Sequence, residues 1–177
     1  MKWRKFSYEG HEYDLSHLHP FVWHFDAPKK HKYPARKYRF NVTFSMHCFT
    51  REPLRTEKVD PALLYHGPKE IRTFCFERYD LSTQLPSIIQ RLGDKSCWHT
   101  HHGNFFTVEL QDPEGQKNEY EVYFDVFRSG RGWMTLIIQS AYIRDERYET
   151  AQPRKRSVGF GVIARARQEN KELRPPP

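Results

Sequence analysis

Cysteine is scarce and unpatterned in this chain. Cys48, Cys75 and Cys97 are an odd, widely spaced set, which argues against the disulfide framework of a small secreted scaffold. No apolar run approaches the length of about 18 residues that a membrane-crossing helix requires. The opening Met1-Lys2-Trp3-Arg4-Lys5-Phe6 has charge but no apolar core after it. No secretory leader is read there, and a reducing cytoplasm without membrane contact is the expected setting. Nucleotide signatures are missing too. Gly130 and Gly132 flank Arg131 without the following Lys-Ser/Thr pair, and Gly159 and Gly161 lack a dinucleotide-binding context. ATP- and NAD-dependent chemistry has no support, and no cofactor is expected.

What the chain does have is aromatic residues and positive charge. Phe, Tyr and Trp make up 15% of its 177 residues, and the net charge is +7. Large rings favour strands and a core built from few, bulky side chains. The charge is uneven. Residues 27–51 hold Lys29, Lys30, Lys32, Arg36, Lys37, Arg39 and Arg51 and no acid, a block of +7. Residues 153–177, including Arg154, Lys155 and Arg156, carry +5, which leaves the rest near −5. Clustered cations of this kind attract polyanions and release counterions on binding them. Nucleic acid, RNA rather than DNA, is the expected partner. Basic solubilising loops and an acidic protein partner are the competing explanations.

The pattern of elements reads as α+β, with one domain over 1–172 and a Pro-rich tail at 173–177. Glu9-Gly10 turns an N-terminal hairpin, residues 26–37 form a basic loop, and residues 38–49 alternate as a strand. Ile71 to Phe76 is a second strand. A helix is predicted to start near Ser82 and to stop at Gly93, with Pro86 in its first turn. Strands at 105–110, 120–128 and 133–141 follow, joined by turns at 112–115 and 129–132. Residues 157–171 fit either a strand or a second helix. The sum is a curved antiparallel sheet of about five to seven strands on one central helix.

Ten histidines are many for this length. His99, His101 and His102 cluster before a strand, where a base and an acid for ribose-phosphate cleavage could sit. Arg128, Arg131 and Arg144 could neutralise developing charge, and Tyr142 could donate. His47, on the polar face of its strand, is a second candidate. The plainer alternatives are a solvated turn at 99–102 and a satisfied His47. The pairs His17/His19 and His99/His101 could also hold zinc in an interaction module, although no metal-site spacing is present. Cys48 reads as a core residue.

The order of elements over 80–144, a helix, a His-bearing loop and a meander ending Gln139-Ser140-Ala141-Tyr142, resembles the barnase, EndoU, colicin-nuclease and RelE-like assemblage of small ribonucleases. The resemblance implies metal-free RNA cleavage of a toxin or defence type by His101 or His102, Arg128, Arg144 and Tyr142, with an antitoxin as protein partner. The other expectation, from charge and aromatics, is a non-enzymatic nucleic-acid-binding or accessory protein.

Overall fold

The computed structural model describes residues 1–30, 33–54, 56–100, 104–111, 118–144 and 157–173. The chain opens with a hairpin, β1 (Phe6–Tyr8) and β2 (His11–Tyr13). Its two-residue loop places Glu9 at φ 48° and Gly10 at φ 79°, the left-handed pair that matches strand twist. The hairpin rests on a small sheet of β5 (Thr50–Arg51), β7 (Ile71–Phe74) and β6 (Leu64–His66). Rings hold the two together: Phe6 stacks on Phe74 at 4.0 Å, and Tyr13 meets Phe74 at 5.4 Å.

The main sheet joins seven strands among the described residues, in the order β12-β8-β9-β10-β11-β4-β3. These are β3 (Phe21–Ala27), β4 (Arg36–Phe44), β8 (Ser96–His99), β9 (Phe105–Gln111), β10 (Asn118–Gly130), β11 (Trp133–Ile143) and β12 (Ser157–Gly159). The α+β class and the curved sheet match expectation. One pairing is of the other kind: β11 runs parallel to β4, Trp133 opposite Arg39 through Ile138 opposite Phe44. Local turns predict only antiparallel neighbours. The parallel seam requires the long excursion from residue 45 to residue 132, which a local pattern does not reveal.

Two stretches differ from their sequence reading. The alternation of 38–49 stops at Phe44, and Met46–Cys48 form a short 3₁₀ turn. Ser45 Oγ accepts from the His47 amide at 3.2 Å, and this cap overrides period two. The helix predicted from Ser82 to Gly93 is α2 (Leu85–Gln90) followed by a 3₁₀ turn at Leu92–Asp94, and a further helix, α1 (Phe76–Ser82), precedes it where none was predicted. Pro86 near the start of α2 cannot donate backward, so the helix restarts there. Ser82 is no cap: its buried hydroxyl donates to Tyr79 O at 2.7 Å. The ambiguous C-terminal stretch is both things, β12 and then α3 (Phe160–Gln168). The turn at 112–115 lies outside the described residues.

The concave face of the main sheet carries the core. Phe40, Val42, Val122, Phe124, Val126, Leu136 and Ile138 point inward, against Leu85, Ile88 and Ile89 of α2 and Phe160 and Ile163 of α3. A β-bulge at Gln139, between the pairs Tyr123–Ser140 and Phe124–Ile138, shifts β11 so that Ala141 continues the inward face. Among the described residues, no helix is long and apolar enough to cross a membrane.

Gly93 is where packing tolerates nothing larger. A β-carbon there would lie 2.4 Å from Phe25 Cε2, itself a core ring. Gly93→Ala is expected to destabilise the protein by about 1–3 kcal/mol through overpacking, read as a lower urea midpoint at unchanged slope.

Candidate nucleic-acid interface

Among the described residues the convex face is open over β3, β4 and the hairpin end of β10, and half-covered over β11. On β3 the outward positions are Val22, His24 and Asp26; on β4 they are Lys37, Arg39 and Asn41. All are exposed, and Asp26 is the one acid among them. Next to them stand two rings. Phe127, on β10, is 45% exposed. Trp133 opens β11 opposite Arg39, whose guanidinium lies over the indole at 4.8 Å.

The turn between β10 and β11 sets this arrangement. Arg131 and Gly132 form its two-residue loop at φ 49° and φ 77°, again the pair favoured by strand twist. Arg131 is a non-glycine residue in the left-handed region, an uncommon choice. Its carbonyl accepts from Arg39 Nη2 at 3.3 Å, so the turn braces the guanidinium beside the indole. Cation, ring and exposed strand thus form one surface whose chemistry is stacking plus positive charge.

The described candidates from the sequence are distributed, not gathered. His99 faces the core, 5% exposed, with its ring 5.0 Å from that of Phe105. Tyr142 and Arg144 do meet. Tyr142 stacks on Tyr123 at 5.6 Å, with Arg78 at 4.9 Å and Arg144 at 5.9 Å from its ring. Arg128 lies near the opposite end of β10, beside the turn. His101 and His102 lie outside the described residues, as do Lys32, Arg154, Lys155 and Arg156. Lys29 and Lys30 follow β3 and are exposed, and Lys30 bridges to Tyr33. Arg36, Lys37 and Arg39 are on β4, whereas Arg51 is engaged by Glu57 at 2.6 and 2.5 Å.

The remaining chemistry-bearing groups are tied into the fold. His47 Nε2 lies 2.8 Å from Glu70 Oε1, and the bond holds the Glu70 carboxyl below its usual value. His17 is half-buried with Nε2 2.7 Å from Ser82 Oγ, and His19 Nε2 lies 3.1 Å from Trp3 O. Burial pushes the Cys48 and Cys97 thiols up to about 12, far from a reactive thiolate. Among the described residues, no three His, Cys, Asp or Glu side chains gather as a metal site.

Sequence reasoning missed Phe127, Trp133 and Glu121. The first was legible: the inward set Val122, Phe124 and Val126 puts Phe127 outward. Glu121 was hidden. It is 1% exposed on the convex side and accepts from Arg144 at 3.2 and 2.7 Å and from the Tyr123 hydroxyl at 2.6 Å. Burial and this carboxylate together raise the Tyr123 phenol. Burial alone would lower the Arg144 guanidinium, but Glu121 holds it above its ordinary value. Arg144 is therefore a structural cation at this position.

Fold and surface define a class: an α+β protein with a curled, mixed sheet, a filled concave side and an open basic-aromatic convex side. The YjaZ family description matches residues 5–168. Protein YjaZ of Escherichia coli strain K12 is 35% identical over 99% of this chain and 96% of its own length. The chain belongs to the YjaZ family. No solved structure matches. This membership overturns the kinship with the barnase, EndoU, colicin and RelE-like ribonucleases. A helix before a meander is too common an order to define a family. Here that meander is one part of a sheet continued through the parallel β11–β4 seam.

Two outcomes follow from the buried groups. Glu121→Gln removes the charge that compensates Arg144 and is expected to lower stability by about 2–3 kcal/mol in chemical denaturation. His17 is shifted below its ordinary value of 6.5, first by burial. The fold thus favours its neutral ring, and that stabilisation is present above the unfolded value and lost as pH falls through the folded one. The ring resonances of His17 are expected to titrate with a midpoint below 6.5 by NMR.

Proposed function

We propose that this protein binds single-stranded RNA, without cleaving it, on the convex face of β3, β4, β11 and β10. The observation that carries the reading is the pairing of Arg39 with Trp133 beside an exposed Phe127. A sheet surface that offers rings to bases and cations to phosphates suits unpaired nucleotides, whose faces are free to stack. A duplex keeps its bases stacked inside and offers such rings nothing. Lys37 and Arg131 extend the positive charge around the rings. The free thiols Cys48, Cys75 and Cys97 suit a reducing cytoplasm, where RNA is abundant.

Binding is tested by fluorescence anisotropy with short labelled oligoribonucleotides across a salt series. Affinity is expected to fall with a log–log slope of about −0.7 for each phosphate neutralised. Lys37→Ala is expected to flatten that slope by one such step. Trp133→Ala and Phe127→Ala are expected to cost about 1–3 kcal/mol each with little change in slope, since a lost stack removes no charge. Absence of binding, equal affinity for duplex, or indifference to both ring substitutions would overturn the proposal.

A further inference from the structure

We infer that a small cavity at the rim of this face, on the α3 side of the sheet, seats a terminal phosphate of the bound strand. The inference rests on the reading just given, that the face binds single-stranded RNA. The cavity has a volume of about 160 Å³ and is lined by Arg36, Arg128, Gly132, Trp133 and Gln168. Its walls come from β4, the end of β10, the tight turn, the first residue of β11 and the last residue of α3.

Two guanidiniums here face one space from strands that are not neighbours in the sheet. Like charges so placed repel unless an anion lies between them. The carboxylate nearest Arg36 is that of Glu169, with Nη1 at 3.8 Å, and Glu169 is held more closely by Lys171 at 2.8 Å. Arg128 makes no hydrogen bond or ion pair among the described residues. The carboxyl end of α3 adds some negative potential. Arg36, Arg128 and Lys171 against the single charge of Glu169 leave the locality positive.

A further polar group waits in the same place. The Gln168 side-chain oxygen is buried without a hydrogen-bond partner. Turning the amide by half a rotation presents its NH₂ instead, a donor fit for a phosphate oxygen. Two forked cations and an amide donor are the groups that recognise phosphate.

Charge and position favour a monoester over a diester. A terminal phosphate carries about −1.5 to −2 at neutral pH, which two guanidiniums balance. A diester carries one charge and continues the chain on both sides. Trp133 belongs to both places, the stacking surface and the cavity wall. A terminal base stacked at Trp133 and Arg39 lies beside the turn at Gly132, around whose edge its own phosphate would reach the cavity on the α3 side.

The test uses the full chain and three single-stranded RNAs of one sequence, carrying a 5′-phosphate, a 3′-phosphate or hydroxyls at both ends, with an internal label. One phosphorylated form is expected to bind roughly tenfold more tightly than the hydroxyl-ended strand. Arg128→Gln is expected to abolish that preference while changing hydroxyl-ended binding by less than roughly twofold. Arg36→Gln reads the same cavity from another strand and serves if the first variant is poorly folded. Equal affinity for all three RNAs, in a protein whose binding still depends on Trp133, would overturn the cavity and leave the strand reading standing. A preference that survives both substitutions would do the same. No binding of any RNA would overturn both.

Discussion

Phe160 is the contact on which the rest of the architecture depends. It follows directly on β12, at one edge of the main sheet, and is fully buried. Its ring meets Trp23 at 5.3 Å and Phe25 at 5.1 Å on β3, the opposite edge. It also meets Phe40 at 5.5 Å and Phe124 at 6.1 Å in between. One ring thus draws the two ends of the sheet toward each other, and the sheet curls around it. The tight approach of Gly93 to Phe25 and the ordinary van der Waals contact of Gly161 with Ala27, 3.6 Å from a β-carbon built on it, follow from that closure. Because the concave side is filled by rings and by α2 and α3, the side chains alternating with them must face outward.

The convex side is not uniform along β10. At its start Glu121 and Tyr123 are buried with Arg144, a charge compensated by a forked partner and a phenol. At its end Phe127 is exposed on the convex side, and Arg128, on the alternate side, borders the cavity with Arg36. Thirteen residues of one strand thus carry an arginine-bound acid that serves the fold and a ring and cation free for a ligand. Arg144 and Arg128 look alike in sequence, each near the end of a strand. The difference is Glu121, which sits across the β10–β11 ladder, opposite Tyr142.

Much of the fold was legible because it is written in short-range patterns. Period two marked β4 and β10, an apolar run marked β11, and Gly10 and Gly132 marked the turns of the β1–β2 and β10–β11 hairpins. The readings that differed failed where a local hydrogen bond or a missing donor outweighed periodicity, at Ser45 and at Pro86. The candidate interface was half legible. Residues 27–51 announced a basic block, and within it Arg36, Lys37 and Arg39 lie on one strand, while Arg51 is tied to Glu57 elsewhere. His99 shows the limit of reading a cluster from spacing: on a strand it points opposite to Trp98, and here that direction is the core.

By itself, then, the sequence determined the elements, the inward rings and the sign of the surface, since each depends on neighbours within a few residues. Only the tertiary structure decided which cations are free. That depends on pairings such as Arg39 with Trp133, Arg128 with Arg36 and Arg144 with Glu121. These join residues from different strands, and the parallel β11–β4 seam that aligns the first of them is made by chain segments more than ninety residues apart.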